Sequence, residues 1–143
     1  MESEHEKSTT FFRFEDLRIY HKAIEYADWV HHHAADFSKN VTTNELVTKF
    51  VHAAQSIAMN IAEGSSRNKS QFVYYLKMAK SSVRECVVYT TICSKQKLFK
   101  DAVVEESRNH LMEMTKMIGA LIGSLQRSTK GIDDDAEDHD ADI

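Results

Sequence analysis

Three consecutive histidines, His31-His32-His33, are the residues of this chain that most invite a metal. Neighbouring helical residues point about 100° apart, so three in a row cannot converge on one ion from a single helix. Asp28 with His32, or His32 with Asp36, has the i,i+4 spacing that would supply two ligands, whereas tetrahedral zinc needs others from elsewhere. No metal site is expected: His31 is placed at the edge of the packing, with His32 and His33 in solvent. Cys86 and Cys93 share one predicted helix at a separation of about 10 Å along its axis, too far for a disulfide, and read as reduced core thiols.

Catalytic patterns are missing as well. No Glu-x-x-His lies on a predicted helix, as di-iron bundles require. There is no His-Glu-x-x-His, no phosphate-cradling glycine loop and no Cys-x-x-Cys. Helical ribonucleases whose arginine precedes a histidine by more than one turn are not matched by Arg18 and His21 or by Arg108 and His110. The expectation is a protein that is not an enzyme, with no catalytic residues, no cofactor and no small-molecule substrate.

Charge is the chemistry that remains. From Gly64 to Lys100 the cations Arg67, Lys69, Lys77, Lys80, Arg84, Lys95, Lys97 and Lys100 face Glu85 alone. Lys77, Lys80 and Arg84 stand at i, i+3 and i+7 and share a helix face, which Tyr74 extends. A cationic stripe edged by an aromatic suits a phosphate backbone, whose contacts are sequence-independent and fade with salt. The candidate site for nucleic acid or a partner is therefore Arg67, Lys69, Tyr74, Lys77, Lys80 and Arg84; the alternative is an ordinary solvated face. The formal net charge of −4 hides this, because the seven acids of 131–143 meet no Lys or Arg there. Residues 14–128 carry fifteen Lys and Arg against twelve Asp and Glu. The acidic block reads as a solvated end, or as a competitor for the body's basic face.

The elements that must hold these residues are helical. The 143 residues include no proline and four glycines, which speaks against the turns of a sheet protein. Hydrophobic content of 42% is that of a globular domain. No apolar run reaches the ~20 residues of a membrane span, and the acidic start is no secretory signal, so a cytoplasmic protein without membrane contact is expected.

Helix one is predicted over 14–37, with Leu17, Tyr20, Ile24, Ala27, His31 and Ala34 as its inward stripe. Its second apolar face, Ile19, Ala23, Tyr26 and Val30 with Trp29 nearby, is assigned to contact between subunits. Helix two starts at a capping box of Thr42 and Glu45 and stops at Gly64 in the left-handed conformation. Helix three starts at Asn68 with Gln71, and Leu76, Ala79, Val83, Cys86, Thr90 and Cys93 follow a heptad. Helix four, capped by Asp101, repeats Val104, Ser107, Leu111, Met114, Ile118, Leu121 and Leu125, leaving Met112 and Met117 off the seam. Short links make neighbours antiparallel. The fold class is all-α, an up-down-up-down four-helix bundle over 14–128, between a flexible segment 1–13 and a disordered acidic tail 129–143.

Phe14-Glu15-Asp16-Leu17 with Lys22-Ala23, then Asn60-Ile61-Ala62-Glu63-Gly64, then Gln71-Phe72 through Ala79 and Ser82 to Glu85 stand in an order that resembles a known family. It is the four helix bundle family encoded within intervening sequences of bacterial 23S rRNA genes, related to the accessory variability proteins of diversity-generating retroelements. The resemblance spans 14–127. It departs at Ala58, where the family often has proline, and at Tyr20, where it often has tryptophan. It implies a homo-oligomeric ring, often a pentamer, whose repeated basic faces would engage RNA or DNA and, in the retroelement relatives, a reverse transcriptase. The expected function is a non-enzymatic oligomeric binding protein for nucleic acid or a ribonucleoprotein. The alternative is a homo-oligomeric scaffold of the rRNA element that binds no nucleic acid.

Overall fold

A computed structural model describes residues 11–37 and 39–129. The expectations for most of 1–13 and 129–143 therefore lie outside the described residues. A 3-10 turn, Arg13–Asp16, leads into four helices: α1 Arg18–Ala34, α2 Val41–Ser65, α3 Lys69–Lys95 and α4 Asp101–Thr129. Among the described residues there is no strand. The broadest packing is α2 on α3, followed by α3 on α4 and α1 on α2, while α1 and α4 share a much thinner seam. The all-α, four-helix expectation holds.

The helix ends show which local signals win. At α2 the N-cap is Asn40, whose Oδ1 accepts from the Thr43 amide at 2.8 Å, in place of the predicted Thr42. Asn is among the best N-cap residues because its short side chain reaches an otherwise orphaned amide. Asn68 caps α3 as expected, accepting from the Gln71 amide at 2.8 Å. Asp101 lies inside the first turn of α4, where its charge meets the helix dipole. The C-terminus of α3 closes in a Schellman turn, with Leu98 N–H donating to Cys93 O at 2.8 Å and Lys97 N–H to Ser94 O at 3.0 Å. Lys97 holds φ 61° there, a position that usually falls to glycine.

Two features of α1 differ from the sequence reading. Leu17 is extended and interrupts the helix, so the 3-10 turn and α1 are separate, and α1 ends three residues before Phe37. More important, the faces are exchanged. Ile19, Ala23, Tyr26 and Val30 are all within 4% of complete burial in the chain's own core. Ile24, placed inward by the sequence, is 45% exposed, and Leu17, Tyr20 and Ala27 are only partly buried. Both faces recur at steps of three and four, so periodicity could not choose between them. The choice is made by a polar atom. Tyr26 Oη pairs with Ser107 Oγ of α4 at 2.8 Å, and Ser107 Oγ pairs with Thr90 Oγ1 of α3 at 2.8 Å. Thr90 Oγ1 in turn donates to Cys86 O at 2.8 Å. A buried tyrosine hydroxyl needs such a partner.

The heptad of α3 sits as predicted and that of α4 does so over its middle turns, whereas Val104, Leu121 and Leu125 are only partly buried and Ile122 is buried beside them. Leu76, Ala79, Val83, Cys86, Thr90 and Cys93 are buried, as are Ser107, Leu111, Met114 and Ile118. One end of the core is closed by aromatics from the connections: Phe37 and Phe99 approach to 5.6 Å between centroids, and Phe99 also meets Phe50 and Trp29.

Gly64 does not end α2; it lies within the helix, which continues to Ser65. Its role is close approach. A Cβ there would stand 2.6 Å from Tyr75 Cβ and 2.9 Å from Phe72 Cδ1 of α3. Tyr75 Cβ is fixed to the backbone and cannot yield cheaply. Gly119 of α4 is the opposite case, with nothing within 4 Å of a Cβ. Gly64→Ala is expected to lose about 2 kcal/mol in urea unfolding, because overpacking outweighs the gain in helix propensity. Gly119→Ala is expected to gain about 0.5 to 1 kcal/mol by propensity alone.

Candidate nucleic-acid interface

The cations predicted on and before α3 reach the surface unequally. Arg67 lies in the link between α2 and α3, where it pairs with Glu63 and sits 5.1 Å from the centroid of the Tyr75 ring. Its charge is thus partly spent within the chain. Lys69 Nζ donates to Ser128 Oγ at 2.8 Å, fastening the start of α3 to the last turn of α4. Lys80 is half-buried, whereas Arg84 is exposed, with only a 3.4 Å approach to Ser81 Oγ. Tyr74 is exposed and meets the Tyr75 ring edge to face at 5.3 Å.

Lys77 is the unusual member. Its residue is half-buried, and Nζ is shut off from solvent with no hydrogen-bond partner among the described residues. A buried ammonium without a partner is costly, because desolvation is not repaid. The stripe is therefore an exposed Arg84, a half-covered Lys80 and an enclosed Lys77 on one face.

Further cations, beyond those predicted from the sequence, border this face from α4. Arg108 and Lys116, with Leu111, Met112, Thr115 and Val87 of α3, line a groove between α3 and α4. Both are exposed, neither has an ion-pair partner among the described residues, and none of the groove's lining residues is an acid. Met112 and Val88 remain 52% and 57% exposed. The signal was in the sequence: Arg108, Met112 and Lys116 stand at i,i+4 intervals, but the predicted stripe was traced along α3 alone. Glu113 faces α1, 3.3 Å from Lys22 Nζ and 3.9 Å from Arg18 Nη2.

The face assigned to contact between subunits is corrected by the exchange on α1. Ile19, Ala23, Tyr26 and Val30 are already covered by the chain's own helices, and Trp29 is half-buried among Tyr26, His33, Phe99 and His110. None of the four buried residues can meet a second copy without opening the core. The histidine run also departs from expectation. His31 is exposed, whereas His33 packs 4.1 Å from the Trp29 ring with Nδ1 2.9 Å from Trp29 O. His32 Nδ1 lies 3.1 Å from Asp28 O and 3.6 Å from Asp28 Oδ1. Among the described residues no three His, Cys, Asp or Glu side chains gather as a metal site, and no helix is long and apolar enough to cross a membrane.

The sequence model of a family described as 23S rRNA-intervening sequence protein matches residues 15–120. No curated protein matches the chain.

The core groups titrate far from neutrality. Burial pushes the Cys86 thiol up to about 12, with a smaller contribution from Glu85, and burial pushes Cys93 up to about 11, both from an ordinary 9.0. Burial also raises Tyr26, against the opposing hydrogen bond from Ser107. Each folded value lies above the unfolded one, so the neutral forms contribute stability that is complete below about pH 9 and lost as pH rises through 11 and 12. The urea midpoint is expected to stay level up to about pH 9 and fall above it, and a thiol reagent at about pH 8 should leave both cysteines unmodified until the chain unfolds.

Proposed function

We propose, for a chain that belongs to the 23S rRNA-intervening sequence protein family, that it is a non-enzymatic binding protein for nucleic acid or a ribonucleoprotein. The working surface is the basic face of α3 bordered by α4. Lys77 carries this reading: its ammonium is enclosed, lacks a partner, and shares a face with Lys80 and Arg84. A phosphate drawn to Arg84 and Lys80 would supply the anion that Lys77 lacks, once its long side chain turns outward. Arg108 and Lys116 widen the positive surface at the groove's α4 wall. RNA is favoured by the family's genetic setting, and a reverse transcriptase partner would present the same anionic ligand through its bound RNA.

We further propose an up-down-up-down arrangement repeated in a homo-oligomeric, pentamer-like ring. The helix order is supported by two pairings, Lys69 with Ser128 and Thr90 with Ser107, which join the start of α3 to the end of α4 and the later part of α3 to the earlier part of α4. Contact between copies is reassigned to the half-exposed stripe of α1, Leu17, Tyr20, Ile24 and Ala27, whose apolar spacing the chain's own core does not use up.

Two experiments test these readings. Lys77→Met removes the unpaired charge while keeping the stem. It is expected to stabilise the fold by about 1 kcal/mol and to weaken binding to structured RNA, lowering the salt slope measured by fluorescence anisotropy by about 0.7 to 0.9. Unchanged RNA binding in that variant, or none by the wild type at low salt, would remove Lys77 from the site and turn the reading toward a scaffold. Ile24→Asp is expected to shrink the assembly by light scattering without loss of helicity, whereas Ile19→Asp should cost several kcal/mol, about that of an unpaired buried charge, and unfold the chain. An unchanged mass for Ile24→Asp would move the interface off α1.

A further inference from the structure

The groove between α3 and α4 has an apolar floor and a cationic rim, and nothing in the described chain fills it. Val87, Leu111 and Met112 form the floor, and Arg108 and Lys116 stand at its edge without ion-pair partners. Arg84 lies one turn before Val87 on α3 and is exposed. An occupant must therefore bring apolar side chains together with several negative charges. The chain itself carries such a segment. Following Thr129 come Ile132, seven acids between Asp133 and Asp142, then Ile143.

Length and position allow the encounter. Lys116 lies about 20 Å back along α4 from Thr129, and Arg108 about 30 Å, at 1.5 Å per residue. Nine to thirteen residues of extended chain, enough to carry Asp138 to Asp142, reach about 30 to 45 Å. The first part of the segment can bridge the last turns of α4, leaving its last part opposite the groove. Asp138, Asp140 and Asp142 equal Arg84, Arg108 and Lys116 in number and are opposite in charge, and Ala141 and Ile143 are apolar enough for the floor.

We infer that residues 137–143 dock in the α3–α4 groove of their own chain, the acids on the cationic rim and Ile143 on Val87, Leu111 and Met112. The consequence, that the segment withholds Arg84 and Arg108 from a phosphate backbone until a longer polyanion displaces it, rests on the nucleic-acid reading above; the docking does not.

The test is carbodiimide coupling of carboxylates to lysines in the intact protein, with no nucleic acid added, mapped by mass spectrometry. A segment held only by its tether would meet its own Lys130 first and Lys69 next, because Lys69 already touches Ser128. Docking predicts instead that, among the lysines of the four helices, the dominant amide joins Lys116 to an acid of 137–142, that it is lost in roughly 1 M salt, where the screening length is about 3 Å, and that Ile143→Ser reduces it. A product dominated by Lys69, or Lys116 coupled no more than exposed Lys95 and Lys97, would overturn the docking. So would light–heavy hybrids from a mixture of isotope-labelled and unlabelled protein, which would place the segment on another copy. Successful coupling to Lys116 in a protein that binds no RNA would leave the docking standing and remove only its proposed consequence.

Discussion

The arrangement of helices depends on a chain of three buried hydroxyls. Tyr26 of α1, Thr90 of α3 and Ser107 of α4 are each completely buried, and Ser107 Oγ stands 2.8 Å from both of the others. Apolar side chains of a bundle can slip past one another by a turn at modest cost, since their contacts are non-directional. Buried hydroxyls cannot, because each unmade hydrogen bond leaves a desolvated polar atom costing about 1 to 3 kcal/mol. The contact of α1 with α4 is thinner than those of α2 with α3, α3 with α4 and α1 with α2, and the Tyr26 to Ser107 bond fixes its register. This is the polar counterpart of a core asparagine setting register in a coiled coil.

From that constraint the outer surfaces follow. With Tyr26 turned inward, Ile19, Ala23 and Val30 must follow it, and Ile24 must be left 45% exposed. With Thr90 and Ser107 facing each other, Val87 and Leu111 come together below Arg84, Arg108 and Lys116. The same register therefore composes both the core and the basic groove. At the other end of α3, Gly64 lets α2 come close enough that Tyr75 lies over it, and Tyr75 in turn offers its ring to Arg67.

What the residues disclosed in advance differs by helix, for physical reasons. In α3 and α4 one apolar seam has no rival, so Leu76 to Cys93 and Ser107 to Ile118 could be placed from spacing alone. In α1 two seams compete, and the decision rests on a hydroxyl partner 81 residues away, which no local pattern contains. Gly64 is a stop signal by local rules, but close packing against Phe72 and Tyr75 explains it better. Asn40 and Thr42 were rival caps of similar quality, and the chain uses the earlier one. The cationic character of α3 was legible as composition. Its division into exposed Arg84 and enclosed Lys77, and its extension to Arg108 and Lys116, depends on how α4 lies alongside.

Whether the α3–α4 face receives nucleic acid is decided by ultraviolet crosslinking of the protein to bound structured RNA, with the adducts mapped to peptides. Adducts are expected within 74–88 and 108–116, suppressed by high salt as counterion-driven contacts require. Adducts confined to α1 or α2, with RNA demonstrably bound, would contradict that placement.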